Sequence, residues 1–226
     1  MDAEERQRPY YRRHLPHFHP SAAVYFVTFR LAGSLPGHVL NQVRQERQFL
    51  KERIAAGFPN MNREAVRSMH RIHFERIEQS LDSVSTGPRW LERSDCASTV
   101  LEAVRFHDVR SYDLIAGTVM PNHVHVMFYH DTREFNTTVT DILGSIKRYS
   151  GRLCNTIVNR TGNPFWQEES YDHIVRSDAE FEATIRYIVH NPVKSGLTDD
   201  WRMWRWTYVK QEYRSFFSSE HRSFEG

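Results

Sequence analysis

The residues best suited to chemistry are His123, Val124 and His125, an imidazole pair spaced by one apolar residue. In an extended strand alternate side chains share a face, so the two imidazoles would project together, two rises of about 3.3 Å apart. That makes half of a metal site. The plain alternative is two half-exposed histidines on a sheet face. A second pair, Tyr187 and Asn191, is spaced by four residues. On a helix that spacing stacks a phenol hydroxyl and a side-chain amide along one edge. If this edge faces the histidine strand, Asn191 becomes a candidate third ligand and Tyr187 lies within one helical turn of the metal.

This combination points to attack on a phosphodiester. A free phenol has a pKa of about 10 and is a poor nucleophile at neutral pH. A metal beside it would polarise a phosphate oxygen and orient the scissile bond for in-line displacement. The product would be a 5′-phosphotyrosine and a free 3′-OH, a linkage that stores the energy for rejoining. Imidazole suits Zn or Mn; an amide oxygen and a phosphate lean towards Mg or Mn. Tyr149 and Tyr171 are rival nucleophiles, but neither is partnered by a helical amide as Tyr187 is.

The elements that must position these groups follow from periodicity. Residues 24–31 are β-branched and aromatic and predict a strand ended by Gly33, Ser34 and Pro36. Residues 37–56 and 62–83 carry apolar residues at helical spacing (Val43, Phe49, Leu50, Ile54; Val66, Met69, Ile72, Ile77, Leu81) and are split by Gly57 and Pro59. They predict a helical hairpin inserted at 37–85, with its charges as a solvated face. A helix capped by Ser94 or Asp95 runs to about Phe106. Strands follow over 111–119 and 123–129, turned by Met120, Pro121 and Asn122. A helix over 138–158, a strand over 171–176 and a helix opened by the capping box at Ser177 complete the order. Pro192 is expected to stop that last helix near Asn191. Without the insertion the order is βαββαβ plus a terminal helix. This is an α+β, ferredoxin-like split βαβ fold: an antiparallel sheet with helices on one face, and the tyrosine on the terminal helix.

Composition bounds the function classes. The 226 residues suit a single domain, 1–226, with one elaboration. Two cysteines without a C-x-x-C spacing exclude a disulfide framework and suit an intracellular chain. No apolar run is long enough to span a bilayer, and the polar N-terminus lacks a secretory signal. A bacterial cytoplasmic location is expected. The net charge of +2 says little about partners, but its distribution says more. Residues 1–20 read as a basic, aromatic arm. Arg12, Arg13 and His14 within it, and Lys147, Arg148, Tyr149 and Arg152 on the 138–158 helix, are candidates for phosphate contact or base stacking. The aromatic tail from Trp201 to Tyr208 reads mainly as core closure.

Four motifs in order resemble a known family. The run 120–125 is similar to the H-hydrophobic-H signature of single-tyrosine DNA transposases. Residues 186–197 match the segment that carries their tyrosine. Phe165-Trp166-Gln167 with Tyr171-Asp172-His173, and the opening strand 24–36, fit as well. The branch resembled is that of the REP-associated tyrosine transposases, over roughly 10–35 and 95–210. The resemblance implies His123 and His125 as metal ligands, Tyr187 as nucleophile, and Asn191 where related insertion-sequence enzymes carry a glutamine ligand. It implies Mg2+ or Mn2+, and as partner a single-stranded DNA bearing palindromic hairpins, nicked beside the hairpin foot. It implies a nucleoid-associated monomer, the related insertion-sequence enzymes being dimers; the sequence leaves both states open. Two other readings stand beside it: a non-catalytic hairpin-binding protein domesticated from such an enzyme, and a metal-dependent hydrolase that uses water. The insertion at 37–85 is not part of the minimal family core, and the resemblance assigns it no role.

Overall fold

The structure is a computed structural model that describes residues 11–13, 15–17, 21–55, 72, 74–82 and 87–222. The expected Val66 and Met69, the breakers Gly57 and Pro59, and the candidate DNA contact His14 lie outside the described residues. The chain opens with β1 (Tyr11–Arg13) and β2 (Leu15–His17), paired antiparallel. The main sheet is built from β3 (Ala22–Arg30), β4 (Asp113–Val119), β5 (His123–Asp131), β6 (Tyr171–Val175) and β7 (Thr207–Val209). Its order is β6-β3-β5-β4-β7 with every pair antiparallel. The first four strands have the ferredoxin-like order. The short β7 is an addition that the sequence pattern did not announce.

Helices α3 (Ser94–Phe106) and α5 (Val139–Ile157), the latter preceded by the one-turn α4 (Thr132–Phe135), lie together on one face, over Tyr25, Val27, Phe29, Val124, Val126 and Phe128. The other face is covered by α6 (Asp178–Lys194), whose Ile185, Ile188 and Val189 pack on Phe26, Ile115 and Met127. Sheet alternation decides which face carries the candidate site. Phe26 pairs with Met127, Thr28 with His125 and Arg30 with His123, so both histidines share the α6 face.

Two helix ends differ from expectation. The N-cap of α3 is Arg93, whose side chain makes no capping bond; Ser94 is already helical, and the Asp95 carboxylate accepts from the Cys96 N–H instead. Pro192 does not stop α6, which continues to Lys194. Ser195 N–H donates to Asn191 O and Leu197 N–H to Pro192 O, so the turn past the proline is held by its own carbonyls. The expected cap at Ser177 is present, with Ser177 Oγ accepting from Glu180 N–H and Glu180 accepting from Arg176 N–H.

The insertion leaves and re-enters the sheet at one point. Gly87 lies so close to the outgoing chain that a Cβ there would sit 3.1 Å from Gly33 O, and both glycines have positive φ (79° and 105°) that side chains rarely adopt. From this point run α1 (Gly37–Ala55) and the helix over 74–82, here α2. Leu35, Val39, Leu40, Ile77 and Leu81 join them in a separate small core. Phe49 and Ile72, expected inside, are about half exposed.

Candidate functional site

The site starts from the β4–β5 turn. Met120 N–H donates to His123 O, which closes the turn tightly and fixes where β5 begins. His123 and His125 then point to one face and are 1% and 0% exposed. Each ring is held from behind. His123 Nδ1 donates to Asn122 Oδ1 at 2.7 Å, and His125 Nδ1 pairs with Thr28 Oγ1 at 2.7 Å. Both Nε2 atoms therefore turn inward and lie 3.0 Å apart. Orienting an imidazole through its second nitrogen is how proteins prepare a histidine for ligation.

Tyr187 comes over this pair from α6. Its ring centroid lies 5.3 Å from that of His125 and 5.9 Å from Phe26, with Phe74 of α2 beside it. The packing of Ile185 and Ile188 on the sheet places the next helix edge, that of Tyr187 and Asn191, along the histidines. Asn191 is 1% exposed, and neither amide atom has a hydrogen-bond partner among the described residues.

The sequence reading missed the fourth group. Glu78 of α2 is buried at 3% exposure. Its Oε2 lies 3.1 Å from His125 Nε2 and 4.0 Å from His123 Nε2, and it accepts the Tyr187 hydroxyl hydrogen. Its Oε1 has no partner among the described residues. Ligand atoms of Glu78, His123 and His125 all lie within 4.8 Å of one another, so the cluster could hold a metal ion. A signal for Glu78 was available: it sits inside the apolar stripe Phe74, Ile77, Leu81, where a solvated carboxylate would not be placed.

Electrostatics follow from the burial. Burial pushes the Glu78 carboxyl up, but the charge and hydrogen bond of His125, then His123 and Tyr187, outweigh it and hold it well below the usual carboxylate range. Burial, then the charge of His125, lowers His123 to about 3, so its ring is neutral at physiological pH. Burial and the Glu78 charge raise Tyr187 far above an ordinary phenol. A cation in the cluster would offset that charge. A cavity of about 70 Å³ borders His123, lined in part by Asp82, Arg89, Asn122 and Ser195.

The other sequence candidates are dispersed. Arg148, Tyr149 and Arg152 are exposed on α5, with Tyr149 half exposed. Lys147 is otherwise engaged: its ammonium donates to the carbonyls of Gln167 and Glu168, both at 3.0 Å. Arg12 and Arg13 lie on β1. Tyr171 is packed against Phe26 and Phe74. In the aromatic tail, Trp206 is in the core and Trp204 donates to Val119 O.

The antiparallel sheet thus carries a buried His-x-His pair on the face that the Tyr187-bearing helix covers. In the family comparison, residues 93–191 match the family described as transposase IS200 like. Among solved structures, the chain is similar to a REP-associated tyrosine transposase bound to a REP hairpin, at 16% identity and a TM-score of 0.49, covering 88% of this chain and 82% of that one. No curated protein matches the chain. Among the described residues no helix is long and apolar enough to cross a membrane.

Proposed function

We propose that this protein is a metal-dependent, single-stranded DNA endonuclease and transposase. It nicks and rejoins DNA at palindromic, REP-type hairpins through a covalent bond to Tyr187. The observation that carries the reading is the position of Tyr187 over the histidine face, with its hydroxyl on a carboxylate that also reaches both Nε2 atoms. The hairpin substrate rests on the four ordered motifs and on the family of residues 93–191.

The donor set suits a hard divalent ion, Mg2+ or Mn2+. Two imidazole Nε2 atoms converge, and the buried Glu78 Oε1 and the Asn191 amide lack partners among the described residues. When bound at His123 and His125, with Asn191 as a further ligand, the ion supplies Lewis-acid polarisation of a phosphate oxygen. The chain's own groups do the rest. Tyr187 Oη attacks the phosphorus, forming the tyrosyl–phosphate bond as the bond to the 3′ oxygen breaks. The phenol proton leaves on the side where Glu78 now accepts it, and the departing oxygen takes up a proton to become the 3′-OH. Asn122 and Thr28 hold the imidazoles in register. Rejoining reverses the step at a second 3′-OH and needs no nucleotide cofactor. Arg12, Arg13, His14, Arg148, Tyr149 and Arg152 would contact the DNA, with Lys147 shaping the adjoining loop. The protein acts in this reading as a monomer in the bacterial cytoplasm, on nucleoid DNA.

The test is a labelled hairpin oligonucleotide incubated with the protein and Mn2+, resolved on a denaturing gel. A protein–DNA adduct is expected, and Tyr187→Phe is expected to abolish it. Cleavage that survives Tyr187→Phe would identify a hydrolase that uses water. Binding without an adduct would identify a hairpin-binding protein that no longer cuts.

A further inference from the structure

We infer that Glu78, delivered by the insertion, is an anionic ligand of the same metal, so that the insertion completes a centre the matched domain leaves unfinished. This rests on reading the histidine cluster as a metal centre. Residues 93–191 supply His123, His125 and Asn191, two imidazoles and an amide, none of which is a carboxylate. A dication held by these alone would be buried without a protein anion, which costs several kcal/mol in a low-dielectric interior. Glu78 is the buried carboxylate among the described residues that reaches both imidazoles.

Three features show that its placement is built. First, α2 turns an otherwise apolar stripe toward the sheet and puts Glu78 within it. Exposed neighbours such as Glu75 and Gln79 point away. A buried carboxylate has no reason to be there unless a charge meets it. Second, α2 is anchored on both sides of the site. Asn122 Nδ2 donates to Leu81 O at 3.0 Å, which ties α2 to the turn before His123. Asp82 accepts from Ser195 Oγ at 3.0 Å and Lys194 Nζ at 3.3 Å, which ties it to the end of α6. The same residue, Asn122, thus orients one histidine and fixes the helix that carries Glu78. Third, the insertion leaves and re-enters at the touching positions Gly33 and Gly87, so the segment can be added without disturbing the sheet that carries the histidines.

The distances fit ligation by one carboxylate. One oxygen is already near both Nε2 atoms and shared with the Tyr187 hydroxyl, while the other is unbonded among the described residues. The ligand set becomes two imidazoles, one carboxylate and the Asn191 amide. Hard oxygen donors in that set favour Mg2+ or Mn2+ over a softer metal. Engaging Glu78 with a cation also offsets the negative charge that now faces the nucleophile.

The experiment is a Mn2+ titration of the full chain without DNA, reading free Mn2+ by electron paramagnetic resonance, with thermal unfolding of each variant in parallel. Wild type, Glu78→Gln and His123→Ala are compared. Gln keeps the volume and an acceptor for Tyr187, so Glu78→Gln should fold; Glu78→Met serves if it does not. Glu78→Gln is expected to weaken Mn2+ binding about 100-fold, since even loss of an outer-shell partner costs 10- to 100-fold. It is also expected to lose the Mn2+-dependent rise in Tm. If His123→Ala abolishes binding while the Glu78 variants bind within threefold of wild type, Glu78 is not a ligand, though the metal centre stands. If wild type itself binds no Mn2+, the metal centre and this inference fall together.

Discussion

Asn122→Ala tests how the site is held. Asn122 is 3% exposed and makes two buried hydrogen bonds, accepting from His123 Nδ1 at 2.7 Å and donating to Leu81 O at 3.0 Å. A typical hydrogen bond contributes about 1 kcal/mol net, but a buried partner left unsatisfied costs about 1–3 kcal/mol. The substitution strands two such partners, an imidazole N–H and a backbone carbonyl, so a loss of about 3 kcal/mol is expected. With a urea slope of about 2 kcal/mol/M, the midpoint should fall by about 1.5 M. Because the lost acceptor sets the orientation of His123, Mn2+ affinity should drop about 10- to 100-fold. Asn122→Asp separates the two effects: it keeps an acceptor for His123 and loses the donor to Leu81. It should retain Mn2+ binding within about threefold while losing stability. A midpoint shift under about 0.5 M in Asn122→Ala, with Mn2+ binding unchanged, would show that neither bond shapes the site.

Two further outcomes discriminate between roles. Arg148→Ala and Arg152→Ala should each lower hairpin affinity and reduce the slope of log K against log salt by about one, whereas Lys147→Met should leave that slope alone and lower stability, because its ammonium is spent on the carbonyls of Gln167 and Glu168. For His107, burial and then the charge of Arg110 lower the folded pKa below its ordinary 6.5. The unfolded chain therefore binds the extra proton first as pH falls below 6.5, and stability drops through that window. His107→Gln should shrink the gap between urea midpoints at about pH 5 and about pH 8.

Much of this architecture was readable from local pattern. Strand 24–31 and the pair 111–119 and 123–129 show two-residue periodicity with β-branched residues, and they form β3, β4 and β5 with small shifts at the ends. The His123 and His125 face follows from alternation alone. The Tyr187 and Asn191 edge follows from helical spacing once Ile185 and Ile188 are recognised as the core stripe. What local pattern could not supply was which side of the sheet α6 would take. Expecting helices on one face describes α3 and α5, while α6 closes the other face, where Phe26, Ile115 and Met127 would otherwise be bare. The β7 strand was hidden for a similar reason, since three residues carry too little periodicity to register.

Glu78 shows where sequence reading stops and why. The segment 62–83 is rich in charge, and a charged helix is ordinarily a solvated one, so a single glutamate within it draws no notice. Its role depends on a contact across 45 residues to His123 and across 109 to Tyr187, and no periodicity encodes such separations. Only a conflict between neighbours gives it away: Phe74, Ile77 and Leu81 demand burial on the face that also carries a carboxylate. Burying that carboxylate is unfavourable unless partners meet it, and His125 Nε2 at 3.1 Å and the Tyr187 hydroxyl do so. In the proposed centre, a carboxylate brought in from outside residues 93–191 would supply the negative charge a divalent ion requires, and that same carboxylate accepts the Tyr187 hydroxyl hydrogen.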